Sequence, residues 1–541
     1  MHNKKRIFFI ISVVFFAICI GVNFYSSLDY YRMYSTQFTN LDKSFMSARY
    51  LESTNGKGII VVGDLEHNKG ELSMLVSEFS NRGYGVWIFD FPSQGLSENT
   101  IPFNYKEKDS NYYLAEQFYS SIVAYTQLAN MTPESIHVIG YGEGARSILE
   151  TASRMDDIKK VSGITLVGID INLTEKINFD FLSFTNDKDL EWVNSLSITN
   201  PGLKINLIAS KLDRASKVKD NEELKKILEE NKLSLPSNEQ TPFNNVTLSE
   251  VTLVPHSSLM SSSTVLSVIM EQLEPGNAQL SILTRINTPM KILTYIFFIL
   301  SLFFAGELLK NPESIPISTT EKKKSDGLIK SKLYVHLPGL VVAGLIAIGL
   351  YLIPIPFPYF RIFHIAMIAA YGFIMLVMYK LTTFSNNLGS SFTKKDNMTR
   401  MRWVLLNLVI ILALITIISL SRSELFLSFL IKPIWLLILV LLFIPLFYID
   451  ERERRLFTKD RKFCLKLLAI NYLIVLILPI IFTVMGLFDN TFIMISIAGC
   501  LIISLSTEFI TRPLGFSSRA SAFVKSIVFV LLCFPNISMF Y

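Results

Sequence analysis

Hydrophobic and polar positions follow two regimes along the chain, and these meet near Met290. Before that point the apolar runs are short and rich in Val and Ile, at Gly58–Val62, Val86–Phe89, Ile136–Ile139, Gly163–Val167, Lys204–Ile208 and Val251–Val254. Such runs predict strands. Amphipathic stretches lie between them, notably Gly70–Arg82, Tyr112–Leu128, Ala145–Arg154 and Asn221–Asn231, and predict helices. The alternation argues for a mostly parallel sheet flanked by helices. Ligands of such sheets bind at the carboxyl ends of the strands.

Beyond Met290 the apolar runs lengthen toward the about 20 residues that cross a bilayer as helix. Eight are read, at Ile292–Leu309, Leu333–Ile353, Ile362–Tyr379, Trp403–Leu420, Leu425–Ile449, Leu467–Phe488, Phe492–Phe509 and Ala520–Phe540. A further run, Ile7–Val22, stands directly behind Lys4, Lys5 and Arg6. No small-residue cleavage site follows it, and Phe16, Ala17 and Ile18 before Cys19 do not form a lipoprotein site, so it reads as an uncleaved anchor. The expected organisation is an anchor over 1–24, an α/β domain over 25–289 and an all-α polytopic membrane domain over 290–541.

Composition agrees. Of 541 residues, 50% are hydrophobic and only 18% charged, against about 25% in an ordinary soluble domain. Mean hydropathy is +0.40. These values exclude a purely cytosolic or disordered protein. The net charge of +6 does not indicate nucleic acid, because the basic residues fall in short runs between the apolar stretches. Cys19, Cys464, Cys500 and Cys533 all lie in or beside apolar stretches, which leaves no disulfide framework or zinc knuckle in the polar segment.

The distribution of charge predicts sidedness. One set of alternate loops carries Lys310, Lys322–Lys324, Lys330 and Lys332; Lys394, Lys395, Arg400 and Arg402; Arg452, Arg454, Arg455, Lys459, Arg461 and Lys462; and Arg512 and Arg519. The opposite set offers little beyond Arg361 and Arg422. The positive-inside rule puts the first set and Lys4–Arg6 in the cytoplasm. Residues 25–289 and the carboxyl terminus are then expected outside a plasma membrane.

The strand ends carry further signals. The stretch from Gly83 to Ser97 reads Gly-Tyr-Gly-Val-Trp-Ile-Phe-Asp-Phe-Pro-Ser-Gln-Gly-Leu-Ser, and His137–Ala145 reads His-Val-Ile-Gly-Tyr-Gly-Glu-Gly-Ala. Ile208–Asp213 and Val254–Leu259 follow in that order. Here the segment resembles the α/β-hydrolase superfamily, especially its lysophospholipase and serine-aminopeptidase-like branch, over roughly Phe45–Leu273. The resemblance implies a nucleophile elbow at Gly142, a triad acid at Asp213 and a triad histidine at His256. It also implies that Asp90 holds its loop.

Two departures stand out. The nucleophile position is Gly142, which has no atom to attack a carbonyl, and the elbow is similar to that of the N-myc downstream-regulated family, which shares the fold without a nucleophile. In addition, Gly63-Asp64 replaces the usual His-Gly near the oxyanion hole, where Asp64 would bring negative charge.

Other candidates have ordinary explanations. Glu143 is expected to lend its backbone N–H while its carboxylate sits at a helix N-terminus. Gly140-x-Gly142-x-x-Ala145 matches a weak form of the dinucleotide fingerprint, but no acidic residue closes the next strand at the right distance. Ser93 and Ser97 belong to the loop after Asp90. Ser257 or Ser258 is expected to cap the helix after His256. The region Asp170–Asn200, with Phe179, Phe181, Phe184 and Trp192, reads either as a short amphipathic lid or as core. In the membrane region Lys432 is an ionisable residue inside an apolar span, with Glu307 and Glu508 near cytoplasmic ends; His364 and Asn471 read as helix–helix hydrogen-bonding residues.

The expected function is therefore a membrane protein whose outer domain binds or scaffolds an envelope lipid, acyl chain, peptide or protein partner, without metal or cofactor. Membrane lipids are its expected surroundings. The alternatives are an ester or amide hydrolase that uses Asp213 and His256 with another nucleophile or an activated water, and a transport-associated protein.

Overall fold

A computed structural model of the chain describes residues 2–65, 69–92, 94–98, 113–154, 160–171, 173, 186–196, 203–213, 216–230, 245–308, 336–346, 349, 362–381, 433–456, 469–477, 480, 497–505 and 518–533. The chain divides into two compact units. One is drawn from Met1–Ile20, Ile292–Ser419 and Phe429–Phe534, the other from Gly21–Lys291, Leu420–Ser428 and Pro535–Tyr541.

The second unit is built on an eight-stranded sheet: β1 (Tyr34–Thr39), β2 (Phe45–Leu51), β3 (Gly58–Val62), β4 (Gly85–Phe89), β5 (Ile136–Tyr141), β6 (Gly163–Val167), β7 (Ile205–Ser210) and β8 (Val246–Val251). The spatial order is β1-β2-β4-β3-β5-β6-β7-β8. Pairings from β4 through β8 are parallel, and β1 and β2 are antiparallel additions at one edge. Strands β3 to β7 are buried along their whole length, as expected of parallel strands covered on both faces. Each fully buried Val or Ile contributes roughly 1.5–3 kcal/mol of transfer free energy, so this double-sided core is the main stabilising element.

Five expected strands fall on β3 to β7. The sequence places the last strand at Val251–Val254, but β8 ends at Val251 and Leu253 turns through φ 59°. The edge strand β8 is half-exposed, Val-Thr-Leu-Ser-Glu-Val, and lacks the apolar run that marks the central strands. For the same reason β1 and β2 have no counterpart among the expected strands.

The helices α1 (His2–Ser26), α2 (Leu28–Arg32), α3 (Ser73–Asn81), α4 (Tyr113–Ala129), α5 (Glu143–Arg154), α6 (Asn186–Asn194), α7 (Val218–Glu230), α8 (Ser263–Leu273) and α9 (Ile282–Leu308) follow in chain order. The expected Gly70–Arg82 helix begins as a 3₁₀ turn over Lys69–Leu72 before α3.

Lying mainly in the first unit, α1 over Lys4–Ser26 and α9 over Ile282–Ala305 are long and apolar enough to cross a membrane. They run antiparallel, with Phe8 stacked on Phe304 at 5.6 Å and Phe15 on Phe297 at 5.1 Å between ring centroids. The α9 helix starts at Ile282, ten residues before the expected span, and carries Pro289 inside it.

Three other described helices there are Ile362–Leu381, Pro433–Leu456 and Ser518–Cys533. Helical stretches also occur at His336–Ile346, 469–477 and 497–505. The expected span Trp403–Leu420, Lys432 and Glu508 lie outside the described residues. In this unit Val341, Leu345, Val377, Leu437, Leu441 and Leu473 are exposed, while the ionisable Asp450, Glu451 and Lys525 are buried alongside apolar residues such as Phe443, Phe447 and Phe529. Lys525 Nζ reaches Glu451 Oε2 at 2.5 Å and lies 3.9 Å from Asp450 Oδ2, and Ser504 Oγ donates to that Asp450 oxygen at 2.8 Å. Asn471 is buried as well.

Candidate functional site

The site lies at the carboxyl ends of the central strands of the second unit. Parallel pairing of β3 with β5 puts Val62 opposite Gly140, so the residues two positions on, Asp64 and Gly142, emerge side by side. Gly142 turns the chain from β5 into α5 with φ 53°, a left-handed conformation that glycine adopts without penalty. The turn is tight because the neighbours are close. A Cβ at Gly140 would lie 2.4 Å from Ile148 Cδ1, and one at Gly144 would lie 2.5 Å from the Gly63 carbonyl oxygen. Close helix–strand packing accounts for these glycines without a dinucleotide.

Asp64 fills the space next to Gly142. A Cβ at Gly142 would meet Asp64 Cγ and Oδ1 at 2.5 Å, so the Asp64 carboxyl takes up the volume of the side chain that position 142 lacks. Asp64 Oδ1 accepts hydrogen bonds from the backbone N–H of Leu65 at 2.8 Å and of Glu143 at 3.1 Å. The Glu143 donor is the first N–H of α5, where the helix dipole favours an anion. Glu143 thus contributes its main chain, and its side chain is buried.

Asp213 follows β7 through a turn in which its own N–H donates to Ser210 O. Its Oδ1 accepts from Ser216 N–H at 3.0 Å, and its Oδ2 lies 2.8 Å from His256 Nδ1. His256 opens a 3₁₀ helix, His256–Ser261, after Pro255, and its Nε2 lies 3.5 Å from Asp64 Oδ2. The imidazole therefore stands between two carboxyl groups. Burial works to lower its pKa, but the charges and hydrogen bonds of Asp213 and Asp64 outweigh burial and hold it well above the ordinary imidazole value. The two flanking carboxyl groups therefore favour the protonated form of the ring.

The structure thus brings Gly142, Asp213 and His256 to one point, together with Asp64. Gly168 belongs to the same point. It turns at the end of β6 with φ 55°, and a Cβ there would lie 2.3 Å from Leu259 Cδ1 and 3.1 Å from Asp213 Oδ2. The contact between Asp64 and Gly142 has one sequence signal, the Gly63-Asp64 departure. Gly168 has no signal beyond its place after a strand.

Neither Ser257 nor Ser258 caps the next helix. Ser262 does, accepting from Val265 N–H, because the 3₁₀ turn intervenes. Asp90 holds its loop as expected: it pairs with the buried Lys69, and its carbonyl accepts from Ser97 Oγ. Ser93 lies outside the described residues. Within Asp170–Asn200, α6 docks on α5, where Arg146 bonds Asp189 at 2.7 Å and sits 4.0 Å from the Trp192 ring centroid. Phe179, Phe181 and Phe184 lie outside the described residues. Among the described residues no group of three or more His, Cys, Asp or Glu side chains is placed to hold a metal ion.

Strand order, the left-handed turn after β5 and the acid–histidine pair after β7 and β8 give this unit the α/β-hydrolase fold. No protein-family model matches the chain, and no curated protein matches it. Solved structures similar to it include an esterase of Pyrococcus furiosus, at 17% identity over 48% of this chain and 93% of that one with a TM-score of 0.31. An α/β hydrolase from Penicillium is similar at 14% identity over 45% and 96%, TM-score 0.34. The esterase domain of a Rhodothermus marinus protein is similar at 13% identity over 46% and 98%, TM-score 0.31.

Proposed function

We propose that the chain is a multi-pass plasma-membrane protein whose outer α/β-hydrolase-fold domain engages an envelope lipid, peptide or protein partner and does not run serine-type acyl transfer. One observation carries the second half of this reading. Asp64 takes the volume of the missing residue-142 side chain and accepts both backbone N–H groups that would otherwise face a substrate oxyanion. A carboxylate there repels a developing oxyanion instead of stabilising it.

The membrane half is supported by the exposed apolar side chains of the first unit and by its buried Asp450, Glu451 and Lys525, an arrangement that suits a hydrocarbon solvent. The antiparallel pairing of α1 and α9 supports it, because such a pair returns the chain to the side from which it left. The loop charges put that side outside.

Fluorophosphonate labelling of the purified protein tests the site reading: none is expected. Strong labelling of the wild type, lost in His256→Ala, overturns it. Cysteine accessibility tests the topology. A residue introduced at Asn55 is expected to react with an impermeant reagent in whole cells and one at Ser325 to be protected; the reverse pattern inverts the orientation.

A further inference from the structure

Within the first unit, buried polar side chains from separate helical stretches line one cavity: His336, Tyr371, Asp450, Asn471 and Tyr472. Its volume of about 20 Å³ has room for one water molecule. Asp450 and His336, an acid and a base, thus border the same space.

Both are held by hydroxyl groups. His336 Nδ1 pairs with the Tyr371 hydroxyl. Asp450 Oδ2 accepts from Ser504 Oγ at 2.8 Å, and Ser504 Oγ lies 2.9 Å from the Tyr472 hydroxyl. A hydroxyl both donates and accepts, so these contacts serve the imidazole and the carboxyl with or without a proton. In the other unit Asp90 and Asp213 instead take backbone N–H donors, from Lys69 and Ser216, which can bond only an accepting oxygen.

The charged neighbours are Lys525, Glu451 and Arg452. Lys525 Nζ bonds Glu451 Oε2 and keeps an ammonium 3.9 Å from Asp450 Oδ2. Arg452, on the same helix as Asp450, turns to the Tyr448 hydroxyl at 3.3 Å. On the loop-charge topology, His336, Tyr472 and Lys525 lie in the first two turns of spans that leave the cytoplasmic side, and Ser504 and Asp450 at the ends of spans that return to it. Register along five separate stretches therefore agrees on one depth.

We infer that this cavity is a proton-exchange site serving the cytoplasmic side of the membrane, in which Asp450 and His336 pass one proton through a single water. The inference rests on the reading that the chain is a multi-pass membrane protein. An ionisable side chain kept inside such a region marks a proton or ion pathway more often than a structural contact. In the step, the Asp450 carboxyl gives its proton to the water as that water gives one of its own to the imidazole. Asp450 becomes a carboxylate beside the Lys525 ammonium, and His336 becomes a cation whose Nδ1–H donates to the Tyr371 oxygen. Nothing is oxidised or reduced, and the reverse transfer restores the start.

Infrared difference spectroscopy on the full chain in phosphatidylcholine vesicles tests this. On stepping from about pH 8 to 5, the range in which an imidazole changes charge, the wild type is expected to gain the band of a non-hydrated carboxylic acid, and the band is expected to shift in heavy water. Asp450→Asn is expected to abolish it. His336→Gln is expected to slow its rise after a pH jump roughly 100-fold. A band that persists in Asp450→Asn, or one that rises in His336→Gln as fast as in the wild type, overturns the inference. Should Asp450→Asn fail to fold, Ser504→Ala decides: it leaves the carboxyl in place and is expected to move the band, and an unmoved band overturns the inference. Release of the chain from membranes by alkaline carbonate overturns the membrane reading, whereas absence of the band in a chain that stays in the membrane overturns the proton-exchange site alone.

Discussion

Asp64 and Gly142 share one volume: a Cβ at residue 142 would lie 2.5 Å from the Asp64 carboxyl carbon. The pair therefore behaves as a unit, and each substitution at one position is conditioned by the other.

Gly142→Ser alone is expected to be destabilising and to stay unlabelled by fluorophosphonate. The serine must adopt φ 53° and displace a buried carboxyl, at a cost of about 1–3 kcal/mol. Combined with Asp64→Gly, the same serine gains both the space and the two N–H donors, and weak labelling that depends on His256 is expected. Labelling of the single variant at the level of the double one would show that Asp64 does not fill the site.

His256 sets an alkaline limit. Its proton is held more tightly in the fold than in the unfolded chain, so this contribution to stability is complete below about pH 6.5 and is lost as pH rises through the elevated folded value. Asp64→Asn removes one of the charges that raise the ring. Thermal melts across this alkaline range are expected to show the variant losing this increment at lower pH than the wild type. Coincident curves would count against the bracketed imidazole.

On the acid side, His137 is the group to watch. It is buried on β5 with its Nε2 2.9 Å from Thr165 Oγ1, and burial pushes its pKa down to about 4. The unfolded chain takes up a proton near pH 6.5 and the fold does not, so stability falls between about pH 6.5 and 4. The integrated effect is of the order of 3 kcal/mol. His137→Gln is expected to flatten this part of a melting profile, and an unchanged slope would assign the acid sensitivity elsewhere.

The Lys69–Asp90 ion pair supports the loop after β4. Both side chains are almost fully buried, and Lys69 Nζ also donates to Ser47 Oγ at 2.9 Å. Lys69→Ala strands a buried carboxylate, and a loss of about 3–5 kcal/mol is expected in chemical denaturation. Lys69→Met with Asp90→Asn should cost less, because no unpaired charge remains. Equal losses would mean that packing, not charge, holds this loop.

What could be read from the sequence depended on solvent exposure. β3 is legible to the residue as Gly58–Val62 because a strand buried on both faces must be apolar throughout. β1, Tyr-Ser-Thr-Gln-Phe-Thr, is largely exposed and offers no such run.

At the site, the Gly142 elbow, Asp213 and His256 are legible as motifs in order. Asp64 was visible only as a misplaced charge, because its contact with Gly142 comes from strand register, which one sequence does not display. In the first unit the sequence singles out Lys432, a charge inside an apolar run. The described residues instead pair Lys525 with Glu451 and Asp450, charges at the margins of apolar runs whose proximity depends on helix packing.

The order of strands in space also bears on how the domain assembles as it emerges from the ribosome. From β4 onward each new strand finds its neighbour already made: β4 and β5 beside β3, then β6, β7 and β8 each beside the one before. The sheet can therefore grow vectorially, without waiting for distant segments. Asp64 and the Glu143 amide meet early in that sequence, whereas His256 arrives only after β8. A nascent chain passes through a stage in which the carboxyl is seated and the imidazole is still to come, so the centre closes late in the domain's assembly, just before α8 packs onto the core.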